Sequence, residues 1–68
     1  MNVTVNGRQR QLAEEASVAD AVAVSGAPAA PRGIAVAVDG EVVPRGSWEI
    51  TKLRDGQRVE VLQAVQGG

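Results

Sequence analysis

Residues 34–44 read IAVAVDGEVVP, and the fold class follows from them. Ile34, Val36 and Val38 alternate with Ala35 and Ala37, so both faces of the segment are apolar, which predicts a strand at the centre of a sheet. Asp39-Gly40 is a preferred pair for a tight hairpin turn, returning the chain through Glu41, Val42 and Val43 beside that strand. Pro44 has no amide hydrogen to donate and marks the end of pairing.

Downstream, RGSW at residues 45–48 is expected to turn and to swing Trp48 toward the body of the protein. EITKL follows as an irregular or weakly extended crossing, and RDG makes another turn. QRVEVLQAV then reads as a long final strand with Val59 and Val61 on one face. Upstream, Met1, Val3 and Val5 alternate with polar residues up to Asn6-Gly7, another hairpin pair. The return strand RQRQLA is polar enough to lie at a sheet edge, where Arg8 and Arg10 discourage pairing with a second molecule and Leu12 turns inward.

Ser17 is placed to cap a helix by accepting an amide hydrogen from Ala19 or Asp20, and Asp20 stands in for Glu at the capping-box position. Val18, Ala21 and Val22 give that helix a single narrow apolar stripe, and Gly26 followed by Pro28 stops it. Two to three turns are marginal alone, so a sheet must pack against the stripe. GAPAAPRG, with two prolines and two glycines, is a connector, and Arg32 within it has no Gly-rich phosphate-binding pattern around it. Two strands, a helix and three further strands predict an α+β architecture, one helix across one face of a mixed sheet of about five strands. That is a β-grasp, or ubiquitin-like, domain.

Sixty-eight residues suffice for one domain, expected to span residues 1–68. Apolar residues at 44% and charged residues at 22% predict a folded chain. With no Cys and no His, disulfides, thiolate zinc sites and imidazole acid–base chemistry are excluded. A net charge of −1 and a single aromatic, Trp48, argue against nucleic-acid binding. No apolar run approaches the roughly 20 residues of a membrane span, and no signal-peptide pattern opens the chain, so no membrane partner and a cytoplasmic location are expected.

The second half, AVAVDGEVVPRGSWEITKLRDGQRVEVLQAVQGG at residues 35–68, resembles the thiamine-biosynthesis sulfur-carrier family, ThiS. The resemblance rests on Val36 to Val38, Asp39-Gly40, Val43-Pro44-Arg45 followed by Trp48, Asp55-Gly56, the strand Val59 to Leu62, and the terminal Gly67-Gly68. The first half agrees more loosely, through VNG and the short helix. What it implies is a carrier and cosubstrate with no catalytic residues and no bound cofactor or metal. An E1-like adenylyltransferase, using ATP and magnesium, converts the Gly68 carboxylate to an acyl adenylate. A persulfide donor supplies sulfur in place of AMP, and the resulting thiocarboxylate delivers it to thiazole synthase.

The chemistry of the residues fits beside the resemblance. A carrier without Cys cannot hold sulfur as its own persulfide, which leaves the terminal carboxyl as the attachment point if sulfur is the cargo. Gly67 and Gly68 lack a Cβ and so suit a narrow channel. The last four residues of a flexible tail at 64–68 reach roughly 13 Å when extended. Two terminal glycines occur by chance in about 0.5% of chains, so the tail alone carries little; joined to the motifs before it, it carries much.

Partner contacts are expected from Arg45, Leu62, Val65 and Gln66. Arg45 reads equally as a solvated turn residue. Val61, Leu62, Ala64 and Val65 either form an apolar outward patch beside the tail or pack normally within the sheet. Trp48 reads as a packing residue, and Lys52, the only lysine, suggests no Schiff base. Competing functions are the small subunit of molybdopterin synthase, another sulfur carrier, or a non-covalent ubiquitin-like interaction module.

Overall fold

The alternation at the N-terminus becomes a strand with an inner and an outer face. In the computed structural model, which describes residues 1–26 and 33–63, β1 (Asn2–Val5) buries Val3 and Val5. Asn6 and Gly7 have φ of 51° and 81°, as a type I′ turn requires. They lead into β2 (Arg8–Gln11), exposed throughout. The amide of Leu12 donates to the Met1 carbonyl at 2.9 Å, and its side chain packs against the core.

Helix α1 (Val18–Val24) has the expected capping box: the Asp20 amide donates to Ser17 Oγ at 3.4 Å and the Ser17 amide to Asp20 Oδ2 at 2.9 Å. Val18 and Ala21 are fully buried, and the helix ends at Ser25 and Gly26. The rest of the predicted connector, with Pro28 and Arg32, lies outside the described residues.

β3 (Ile34–Val38) turns through Asp39-Gly40 into the two-residue β4 (Glu41–Val42). After Pro44 comes a 3-10 turn, Arg45–Ser47, that delivers Trp48 inward. Its indole Nε1 donates to the Val43 carbonyl at 3.0 Å, so the polar tip of a buried ring is satisfied. The crossing segment is irregular, as expected. It is stitched to the helix start by Val18 N to Thr51 O and Leu53 N to Ala16 O, both 2.9 Å. The chain then turns at Asp55-Gly56 into β5 (Arg58–Gln63).

The sheet order is β2-β1-β5-β3-β4, with β1 and β5 parallel and the other pairs antiparallel. One mixed five-stranded sheet carries one helix, as the order of elements predicts. One expectation needs correction. The middle strand is β5, not the segment at 34–38, because β1 and β3 both pair with the last strand, a long-range choice that local alternation does not encode. Both faces of β3 are apolar, but only one is covered: Ala35 is exposed and Ala37 half-buried, since one short helix covers only one side of the sheet. Valines from β1, β3 and β5 meet Val18 and Ala21 of α1 in a single core with Trp48 and Leu53. Among the described residues, no helix is long and apolar enough to cross a membrane.

A seven-residue helix depends on its cap. Replacing Ser17 by Ala is expected to cost about 1 kcal/mol, lowering Tm by roughly 4–8 °C in a domain of this size. Thermal unfolding followed by circular dichroism checks this, and an unchanged Tm contradicts it.

Candidate functional site

The residues to which the family resemblance assigns chemistry follow the end of β5. On one edge β5 pairs with β3 to its last residue, with Ile34 opposite Gln63, Ala35 opposite Leu62 and Val36 opposite Val61. On the other edge β1 pairs only as far as Val5 opposite Val59, because the chain turns away at Asn6.

Asn6 then continues the ladder with its own side chain. Its backbone amide donates to the Val59 carbonyl at 2.9 Å. Its Nδ2 donates to the Val61 carbonyl at 3.1 Å, and its Oδ1 accepts from the Val61 amide at 2.7 Å. A carboxamide has the same donor and acceptor as a peptide group, so it replaces the strand that is no longer there. Asp39 does part of the same at the start of β5: its amide donates to the Arg58 carbonyl at 2.8 Å and its Oδ1 accepts from the Arg58 amide at 3.0 Å. Asp55 Oδ1 accepts from the Asn2 amide at 2.6 Å. The sequence marks these three residues only as turn formers. Their short polar side chains are the signal for backbone bonding, but which strand receives the bond is a tertiary matter.

Alternation along β5 puts Val59 and Val61 in the core and Leu62 outside, 64% exposed. Val61 is therefore removed from the expected outward patch: its side chain shares the inner face with Val36 and Val59, and strand periodicity sends successive residues to opposite sides. Leu62 faces out with its partner Ala35, and Val42, 74% exposed, lies beside Ala37 on the same face. An uncovered strip of small and branched apolar side chains thus runs across the outer sheet up to the end of β5.

Arg45 is exposed. The Val43 amide donates to the Val36 carbonyl at 2.8 Å, so the chain leaving β4 heads for the same end of the sheet as Gln63, and Arg45 follows two residues later. Val65, Gln66, Gly67 and Gly68 belong to residues 64–68, outside the described residues. Trp48, 7% exposed, is a packing residue. Lys52 Nζ donates to the Glu15 carbonyl at 3.2 Å and lies 3.8 Å from its carboxylate. Among the described residues, no cluster of His, Cys, Asp and Glu could hold a metal ion.

The two faces of β5 predict opposite responses to charge. Leu62→Glu is expected to change stability by no more than about 0.5 kcal/mol. Val61→Glu puts an unpaired carboxylate into the core and is expected to leave the chain largely unfolded. Chemical denaturation of both variants tests this; similar losses would mean that the faces are wrongly assigned.

The family model described as "ThiS family" matches residues 3–68. Among solved structures, the crystal structure of the thiamine biosynthesis protein (ThiS) from Geobacter metallireducens is 33% identical with a TM-score of 0.78, covering 100% of both chains. An NMR solution structure of a thiamine biosynthesis protein from the same organism is also 33% identical, with a TM-score of 0.75, covering 100% of this chain and 88% of the other. No match emerged among curated protein sequences. The mixed five-stranded sheet with its single helix is thus the β-grasp arrangement of a ThiS neighbour.

Proposed function

The chain belongs to the ThiS family, and from that membership we propose that it is a sulfur carrier of thiamine biosynthesis whose cargo is borne on the Gly68 carboxylate. The observation that carries this reading is the family match itself, which extends over residues 3–68 and so includes the Gly-Gly end.

A carboxylate resists nucleophiles because of its negative charge and its poor leaving group. An E1-like adenylyltransferase, using ATP and magnesium, therefore first joins Gly68 to AMP with release of pyrophosphate. The terminal sulfur of a persulfide donor then attacks the acyl carbon and expels AMP, leaving an acyl disulfide between Gly68 and the donor. A second thiol, supplied by the partners because this chain has none, attacks the donor sulfur, closes a disulfide there and releases the thiocarboxylate, which carries the sulfur to thiazole synthase. The chain is in this account a cosubstrate, and the chemistry belongs to its partners. The absence of Cys supports this, since no thiol competes for the sulfur. Gly67 keeps the approach to the carboxyl slim.

The outer strip supplies the docking surface. Leu62 sits on it at the base of the tail, with Val65 and Gln66 following in the chain, and Arg45 provides a charged contact at the same end. Because Leu62→Glu is expected to spare the fold, its effect should appear in docking. It is expected to raise the KM for adenylation more than about fivefold, the equivalent of 1 kcal/mol. An unchanged KM removes Leu62 from the interface.

Deleting Gly68 tests the central assignment. In a strain lacking the carrier, the truncated chain is expected to fold with an unchanged circular dichroism spectrum yet fail to support growth without thiamine, and the thiazole precursor should restore growth. Full complementation by the truncated chain would overturn the reading.

A further inference from the structure

Among the described residues, three turn residues lend side-chain atoms to a neighbouring strand, and of these only Asn6 does so at the end of β5 that precedes Ala64 to Gly68. We propose that Asn6 is a positioning residue for the C-terminal tail, its carboxamide pinning both backbone groups of Val61 so that β5 leaves the sheet in a fixed direction. This rests on the reading of Gly68 as the modified residue.

Among the described residues, β5 beyond Val59 has a strand partner only in β3. At Val36 β3 is still bonded on its far side by the Val43 amide, but from Leu62 onward β5 and β3 run as a two-stranded ribbon, which twists more than a multistranded sheet. The Asn6 carboxamide restores a second edge at Val61, seven residues before Gly68, and with it the heading of whatever follows. Asn6 has φ of 51°, and the turn by itself is served as well by Asp or Gly. The pairing with Val61 is not: it needs a donor and an acceptor on one short side chain. Asp offers no donor and sets a negative charge against the Val61 carbonyl, while Gly offers neither group. A role confined to the turn therefore predicts that Asn6→Asp and Asn6→Gly are tolerated, whereas a positioning role predicts that both are impaired.

The test is steady-state adenylation of the full chain by the E1-like enzyme, measured where every variant is folded. Asp39→Gly, which loses the corresponding side-chain bond at the opposite end of β5, is the control. Both Asn6 variants are expected to lose about tenfold or more in kcat, within the roughly 100-fold that misplacement by an ångström costs. KM should stay within about twofold, because β3 still holds Leu62 on the docking face. Asp39→Gly is expected to lose stability but keep the wild-type kcat. Asn6 variants with the wild-type kcat, or an equal fall in Asp39→Gly, would overturn the proposal.

If the wild-type chain itself shows no turnover that depends on Gly68, the assignment of Gly68 fails instead. Amide hydrogen exchange then decides the pairing separately. The Val61 amide should be protected like that of Val59 in the wild type and exchange about tenfold faster or more in Asn6→Asp. Should the variants not fold, a wild-type Val61 amide that exchanges as fast as the turn amide of Gly7 would overturn the pairing on its own.

Discussion

The structure depends on β5 being hydrogen-bonded along both edges. It pairs in parallel with β1 and antiparallel with β3, and its inner side chains, Val59 and Val61, lie in the core. A buried peptide group without a partner costs about as much as a lost hydrogen bond, so a central strand tolerates few gaps. β1 gives out at Val5 and β3 at Val38. At each place the first residue of the following turn supplies the missing bonds, Asn6 to Val61 and Asp39 to Arg58.

Around that strand the chain divides its surface unequally. The inner face is closed by a helix of only two turns, which stands because Ser17 and Asp20 cap it and because the crossing segment is bonded to its first residues. The outer face is left open, and Leu62, Ala35 and Val42 make part of it apolar. For a small carrier this division is useful: one face holds the body together, and the other is free to be recognised. The end of the best-anchored strand leads directly into the residues that carry the proposed chemistry. Chemistry supplied by a partner asks little of the carrier's own side chains, which suits a sequence with neither His nor Cys.

What the sequence discloses follows from how local each feature is. Asn6-Gly7 and Asp39-Gly40 are visible because the type I′ conformation selects for those dipeptides. The cap at Ser17 is visible because donor and acceptor stand three residues apart. The burial of Trp48 follows from the turn after Pro44. Strand order is another matter: β5 lies between β1 and β3 through contacts more than twenty residues apart in the chain, and Ile34 to Val38 looks central because its outward alanines are apolar without being covered. The inward placement of Val61 is settled by sheet register. For the candidate site, the motifs indicate Gly68 through a family resemblance, and Leu62 takes the outward of the two placements that alternation leaves open. Asn6 was legible as a turn residue but not as a partner for Val61, since its side-chain bonds reach 55 positions along the chain.

The central claim is that the terminal carboxyl is the reactive group and that the fold serves to present it. Intact-mass analysis of the chain produced together with its native partners, in sulfur-replete and thiamine-starved cells, tests this most directly. The account predicts a species heavier by the replacement of one oxygen with one sulfur, with fragmentation placing the change on Gly68. A chain whose terminal carboxylate remains wholly unmodified under those conditions would contradict it.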